Sequence, residues 1–162
     1  MTMVKVKTAE LTGRALDWAV AQVVKPEGFV MRDTGGEMDP PMVLGIADIP
    51  DARACLILDI NPAEINIDEW PLKSCWSPST DWSQAGPLME KYEISVIREE
   101  GIGSPSFWAG TEPLPDSMFG FNYKGASESG ETILIAVCRT IVTAKLGGEV
   151  EVPQELVGVD HD

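Results

Sequence analysis

Apolar positions along the chain change period, and those changes delimit the predicted elements. Lys5-Val6-Lys7 reads as a short extended start at a strand edge. From Thr8 or Thr12 the spacing becomes helical through about Val23. Leu11, Ala15, Trp18 and Gln22 fall on one face, with Ala19 beside them, and Leu16, Val20 and Val23 on the next. Gly13 weakens the first turn, and Pro26 and Gly28 stop the helix. Residues 25–41 carry three glycines and three prolines and read as a loop. Met42–Ile46 fits a short strand or a turn. Ala52–Ile60 fits a buried strand or a short helix, and Asn61 suits the cap of a single turn through Ile65. Trp70-Pro71 is extended.

The second half is more regular. Gly86–Tyr92 suits a short helix beginning with Pro87 near its first turn. Ile94–Arg98 alternates as a strand does, Ser106–Gly110 resumes an extended run, and Met118–Tyr123 supplies a further strand. Together they predict a small antiparallel meander. Lys124–Gly130 is polar and rich in Gly and Ser, hence a loop. Thr132 then caps a strong helix whose stripe is Ile133, Val137, Ile141 and Ala144, with Leu134 and Cys138 alongside. Lys145 sits in the last turn and Gly147-Gly148 ends it. Val150–Pro153 is extended, Gln154–Leu156 makes a tail turn, and residues 158–162 fray. The expected fold is α+β: a small antiparallel sheet packed with two main amphipathic helices, near 11–23 and 132–146, and a shorter one near 81–92. The expectation is one domain over residues 1–162.

Charge and reactive side chains narrow the chemistry. Twelve Lys and Arg against 26 Asp and Glu leave a net charge of −14. That balance disfavours a nucleic-acid backbone or an anionic membrane as partner and leaves a basic host protein open. The three cysteines, Cys55, Cys75 and Cys138, lack C-x-x-C spacing and point to reduced thiols. The N-terminal stretch has no apolar core of signal-peptide type, and no apolar run approaches a membrane span. The single histidine, His161, is penultimate, so nucleophile–histidine pairs are not expected in the body of the fold. No cofactor is expected.

The most unusual stretch is Cys75 to Pro87, with two tryptophans, two prolines and many small polar groups. Pro78 stiffens a turn, and Ser79 or Thr80 can cap the helix that follows. In a ligand-binding reading, Trp76 or Trp82 stacks on a flat group. Ser79, Thr80 and free N–H groups hold an anion, Asp81 accepts from hydroxyls, and Gln84 both donates and accepts. Arg139 reaches the anion bidentately, and Asp17 and Trp18 complete the set. In the structural reading the same Pro and Trp lock a turn, Asp81 caps a helix, Arg139 pairs with Asp17 or Asp81, and Trp18 anchors the core. Asp17 with Asp81 also suits a carboxylate pair for acid–base work or for a divalent cation. Trp108, with Phe119 or Phe121, suits a self-associating apolar face.

Three blocks resemble the NinX-like family of tailed-phage and prophage proteins. They are Lys5 to Gly13 with Ala15 to Ala21, Ser77 to Pro87, and Leu134 to Arg139 with Lys145-Leu146-Gly147 and Glu149 to Pro153. Residues 30–70 depart from the family pattern as a variable insertion. The resemblance implies a phage-borne accessory protein acting in the host cytoplasm. A shorter match, Trp76-Ser77-Pro78-Ser79 with Asp81-Trp82, is similar to an element of phage anti-Thoeris sponge proteins, although its Asp-Trp pair is spaced differently. Together these features predict an accessory protein that binds a small polar, nucleotide-derived ligand without turnover, as a homodimer. The alternatives are an acidic inhibitor of a host protein and a metal-dependent nucleotide hydrolase.

Overall fold

A computed structural model describes residues 2–33, 42–47, 72–99, 106–114 and 122–158. The expectations for 52–65, for Trp70-Pro71 and for most of 118–123, including Phe119 and Phe121, fall outside these residues.

The centre of the fold is a helix at Ile133–Leu146, here α3, after α1 at Gly13–Val24 and α2 at Trp82–Lys91. Thr132 caps α3 as expected, its Oγ1 accepting from the Ile135 N–H at 3.1 Å. Ala136, Val137, Cys138, Ile141 and Val142 are all buried. Burying a Val or Ile side chain contributes roughly 1.5–3 kcal/mol, so this stripe is a main source of cohesion. On α1, Ala15 to Ala21 are buried without a break, and α1 packs on α3. The two stripes read from the sequence have merged because elements cover α1 on more than one side.

All described strand pairs are antiparallel. The chain ends meet: β1 (Met3–Lys7) pairs with β10 (Glu149–Pro153), setting Lys5 opposite Glu151 and Lys7 opposite Glu149. Opposite charges on the exposed face and valines on the inner one fix this register. Thr8 secures the join, its N–H and Oγ1 donating to Gly148 O and Gly147 O at 2.9 and 2.8 Å.

The second sheet joins β2 (Phe29–Asp33), β3 (Met42–Ala47) and β4 (Leu72–Cys75). Here the structure corrects the expected loop over 25–41. Phe29, Val30 and Met31 are buried, and that apolar trio outweighs the Gly and Pro around it. The third sheet joins β5 (Ser95–Glu99), β6 (Ser106–Gly110) and β9 (Ser127–Gly130). β9 corrects the loop expected at 124–130. Its polar composition hid a strand that pairs with β6 on one side and packs on α3. A short hairpin of β7 (Pro113–Leu114) and β8 (Asn122–Tyr123) completes the described strands.

Gly130 shows how closely β9 approaches α3. A Cβ there would lie 2.6 Å from the Ala136 backbone nitrogen and 2.9 Å from an Ile135 methyl group. The first turn of α3 can approach the sheet only because that carbon is missing. Gly130→Ala is therefore expected to cost roughly 1–3 kcal/mol in urea unfolding. At Gly148 no atom lies within 4 Å of the added carbon, so Gly148→Ala should stay within about 0.5 kcal/mol.

Candidate functional site

The turn at 76–81 is built from the core outward. β3 receives Trp76, whose backbone N–H donates to Leu44 O at 3.0 Å. The Trp76 indole is 7% exposed, lies edge-on to Phe29 with centroids 6.4 Å apart, and donates its Nε1–H to the Asp17 carbonyl at 2.8 Å. The Asp17 side chain, fully buried on α1, accepts the Ser79 backbone N–H at 2.8 Å. Pro78 then turns the chain, and the N–H groups of Thr80 and Asp81 both donate to Ser77 O.

Gln84 closes the turn from the other side. Its Oε1 accepts from Ser77 N–H at 2.7 Å and its Nε2 donates to Cys75 O at 2.6 Å. A planar amide thus matches two backbone groups as a neighbouring strand would. Asp81, rather than Ser79 or Thr80, caps α2. One oxygen accepts from Ser83 N–H at 2.9 Å and from Ser83 Oγ–H at 2.6 Å. Those two donors hold the Asp81 carboxyl below its usual range. Helix α2 begins at Trp82, and Pro87 lies inside it rather than at its first turn.

Several expected ligand contacts are therefore engaged within the protein. Trp76, Asp17 and Gln84 hold the turn. Arg139 donates Nε–H to Leu11 O at 2.9 Å and Nη1–H to Ser129 O at 2.8 Å, joining α1's approach to β9 across α3. It pairs with backbone carbonyls rather than forming the ion pair weighed for it with Asp17 or Asp81. Partial burial lowers its pKa, while Glu128 and Glu131 act in the opposite sense. Trp18 is 7% exposed with its Nε1–H unpartnered, a core position. Among the described residues no group of three or more His, Cys, Asp or Glu is placed to hold a metal ion. Asp17 and Asp81 serve the separate structural tasks above. Trp108 is 38% exposed, with its indole N–H on Glu99 Oε2 at 2.5 Å.

Three of the expected residues face one open space. A cleft of about 440 Å³ is lined by Ser79, Thr80, Trp82, Phe107, Glu131, Thr132, Ile133 and Leu134. Trp82 is 55% exposed there, so its ring presents a flat apolar surface to solvent on the cleft wall. Ser79 is buried, and its Oγ has no hydrogen-bond partner. The opposite wall is the first turn of α3.

Helices α2 and α3 both start at this cleft. Their last turns meet at Tyr92, whose ring centroid lies 5.5 Å from Lys91 Nζ and 5.9 Å from Lys145 Nζ. The two helices thus run side by side in the same sense, their positive ends toward the cleft. The contributions of Phe107 and of residues 131–134 were missed in the sequence. Phe107 reads only as one position of a strand, and Thr132 reads only as a cap. Nothing in their local pattern announces that a distant turn lies opposite.

A family model described as "Bacteriophage P22, NinX" matches residues 7–145. A search of curated proteins finds no match. The shorter likeness to sponge proteins does not recur in these comparisons.

Two outcomes test the internal roles. Asp17→Ala strips the Ser79 N–H of its acceptor and should lower stability by roughly 1–3 kcal/mol in denaturant titration. Cys138 is buried, and burial together with nearby Asp17 pushes its thiol well above the ordinary range. Iodoacetamide at about pH 8.5 should leave Cys138 unlabelled until the protein is unfolded. The unfolded thiol ionises first, so this group's contribution is present below about pH 8.5 and is lost as pH rises further.

Proposed function

The chain belongs to the NinX family of phage proteins, and on that premise we propose that it binds a small polar ligand with a flat group, without turning it over. The observation that carries this reading is the half-exposed Trp82 ring on the wall of a cleft whose other wall is a helix start. A ring of this kind can stack on a nucleobase or a similar plane. Hydroxyl and amide groups of Ser79, Thr80 and the α3 start then supply directional contacts. The ligand is nucleotide-derived in this reading. By withdrawing such a compound in the host cytoplasm, the protein would tune or counter a host pathway during infection.

A second reading, an inhibitor of a basic host protein, draws on the net charge of −14. Recovery of one stoichiometric basic host protein with the purified chain, together with silence toward every nucleotide, would favour it.

The lead reading predicts a melting-temperature rise of several degrees with at least one nucleoside or nucleotide well above its dissociation constant. Trp82→Ala should abolish that rise while changing the stability of the free protein by no more than about 0.5 kcal/mol, since the ring is largely exposed. A rise that persists in Trp82→Ala would remove the cleft from the mechanism.

A further inference from the structure

Taking the cleft as a ligand site, as proposed above, we infer that it selects for low ligand charge. Its class is the nucleoside or the singly charged phosphodiester, and nucleoside polyphosphates are rejected.

The argument starts from the lining. Among the described residues that face the cleft there is no Lys and no Arg, and there is one acid, Glu131, exposed. Arg139 is the cation on which Glu131 acts, but it is not among the lining residues, and its Nε–H and Nη1–H donate to Leu11 O and Ser129 O. Sites for multiply charged phosphates are ordinarily furnished with Arg or Lys side chains or a bound cation. None of the described lining residues supplies such a charge.

What the cleft does offer an anion is modest and local. Ile133 and Leu134 occupy the first two positions of α3, where backbone N–H groups have no intrahelical acceptor. Thr132 Oγ1 is already used by Ile135 N–H. Independently of the helix, Ser79 lines the cleft, is 3% exposed, and keeps an Oγ with no partner. A buried hydroxyl left unpaired carries a free-energy cost that a ligand oxygen would relieve. The start of a helix amounts to about half a positive charge. With α2 and α3 both starting at the cleft the sum is about one positive charge, so it balances at most one ligand charge even before Glu131, which faces the same space, is counted. A second or third meets net repulsion, reinforced by the protein's −14.

The test is a charge series on a constant flat group, in magnesium-free buffer at low ionic strength, read by calorimetry. The probes are adenosine, its singly charged cyclic monophosphate, its doubly charged 5′-monophosphate and its triphosphate, with the matching uridine set. Expected is binding of the nucleoside or the cyclic monophosphate, then a loss of about five- to tenfold for each further charge, flattened by added salt. Glu131→Gln, a change at an exposed position, should restore most of the loss for the monophosphate. Ser79→Ala should weaken the cyclic monophosphate more than the nucleoside. Affinity that holds level or rises toward the triphosphate, in the parent chain or with Glu131→Gln making no difference, overturns the charge rule and leaves the cleft reading standing. No binding by any member of either series overturns both.

Discussion

A buried carboxylate governs how this molecule is put together. Asp17 has no solvent exposure, yet it sits on the helix that packs against α3, where an apolar residue would be expected. It is tolerated because it is hydrogen-bonded. Its side chain takes the Ser79 N–H, and its carbonyl takes the Trp76 indole. One residue thereby ties a turn to α1 across roughly sixty positions of sequence. The turn's other bonds, from Thr80 and Asp81 N–H to Ser77 O and through Gln84, lie within the segment itself, so the Asp17 contacts are what tie it to α1.

This explains how the unusual stretch divides its labour. Trp76 and Trp82 are six positions apart and look equivalent in the sequence, but one faces the core and the other the cleft. Ser79 is shared: its backbone N–H goes to Asp17, and the residue also lines the opening. Asp81 and Gln84 look like ligand contacts because both are polar and near tryptophans. Gln84, through its amide oxygen and one N–H, and one oxygen of Asp81 bond the chain itself. A stretch dense in polar groups is therefore not all binding surface, since a turn tied into a core needs such groups for its own backbone.

Local pattern made the α+β class and two of the helices legible, because α1 and α3 each carry a clear period and a recognisable stop, whereas α2 was read from Pro87, which lies inside it rather than at its start. Thr132 and Gly147 bracket α3 where the spacing placed them. The strands were read less well, for two physical reasons. β2 is a short apolar trio between turn-forming residues, so composition pointed one way and burial the other. β9, Ser-Glu-Ser-Gly, has no apolar alternation to mark a strand, and its close packing on α3 at Gly130 is set by folding rather than by local pattern. The pairing of β1 with β10 depends on the two ends of the chain meeting, which no local window contains. The cleft was half legible for the same reason. Its near wall is one continuous segment with odd composition, whereas its far wall is assembled from β6 and α3 by folding alone.

Helix α2 differs from its neighbour in one respect that reaches beyond statics. It has ten residues and buries only Ala85 and Leu88, against the seven buried positions of α3. Pro87 in its middle has no N–H to give, so the Ser83 carbonyl lacks its usual rung on the ladder. Short, thinly anchored helices with a missing rung open at lower free energy than the domain around them. The Trp82 side of the opening therefore costs less free energy to displace than the α3 side.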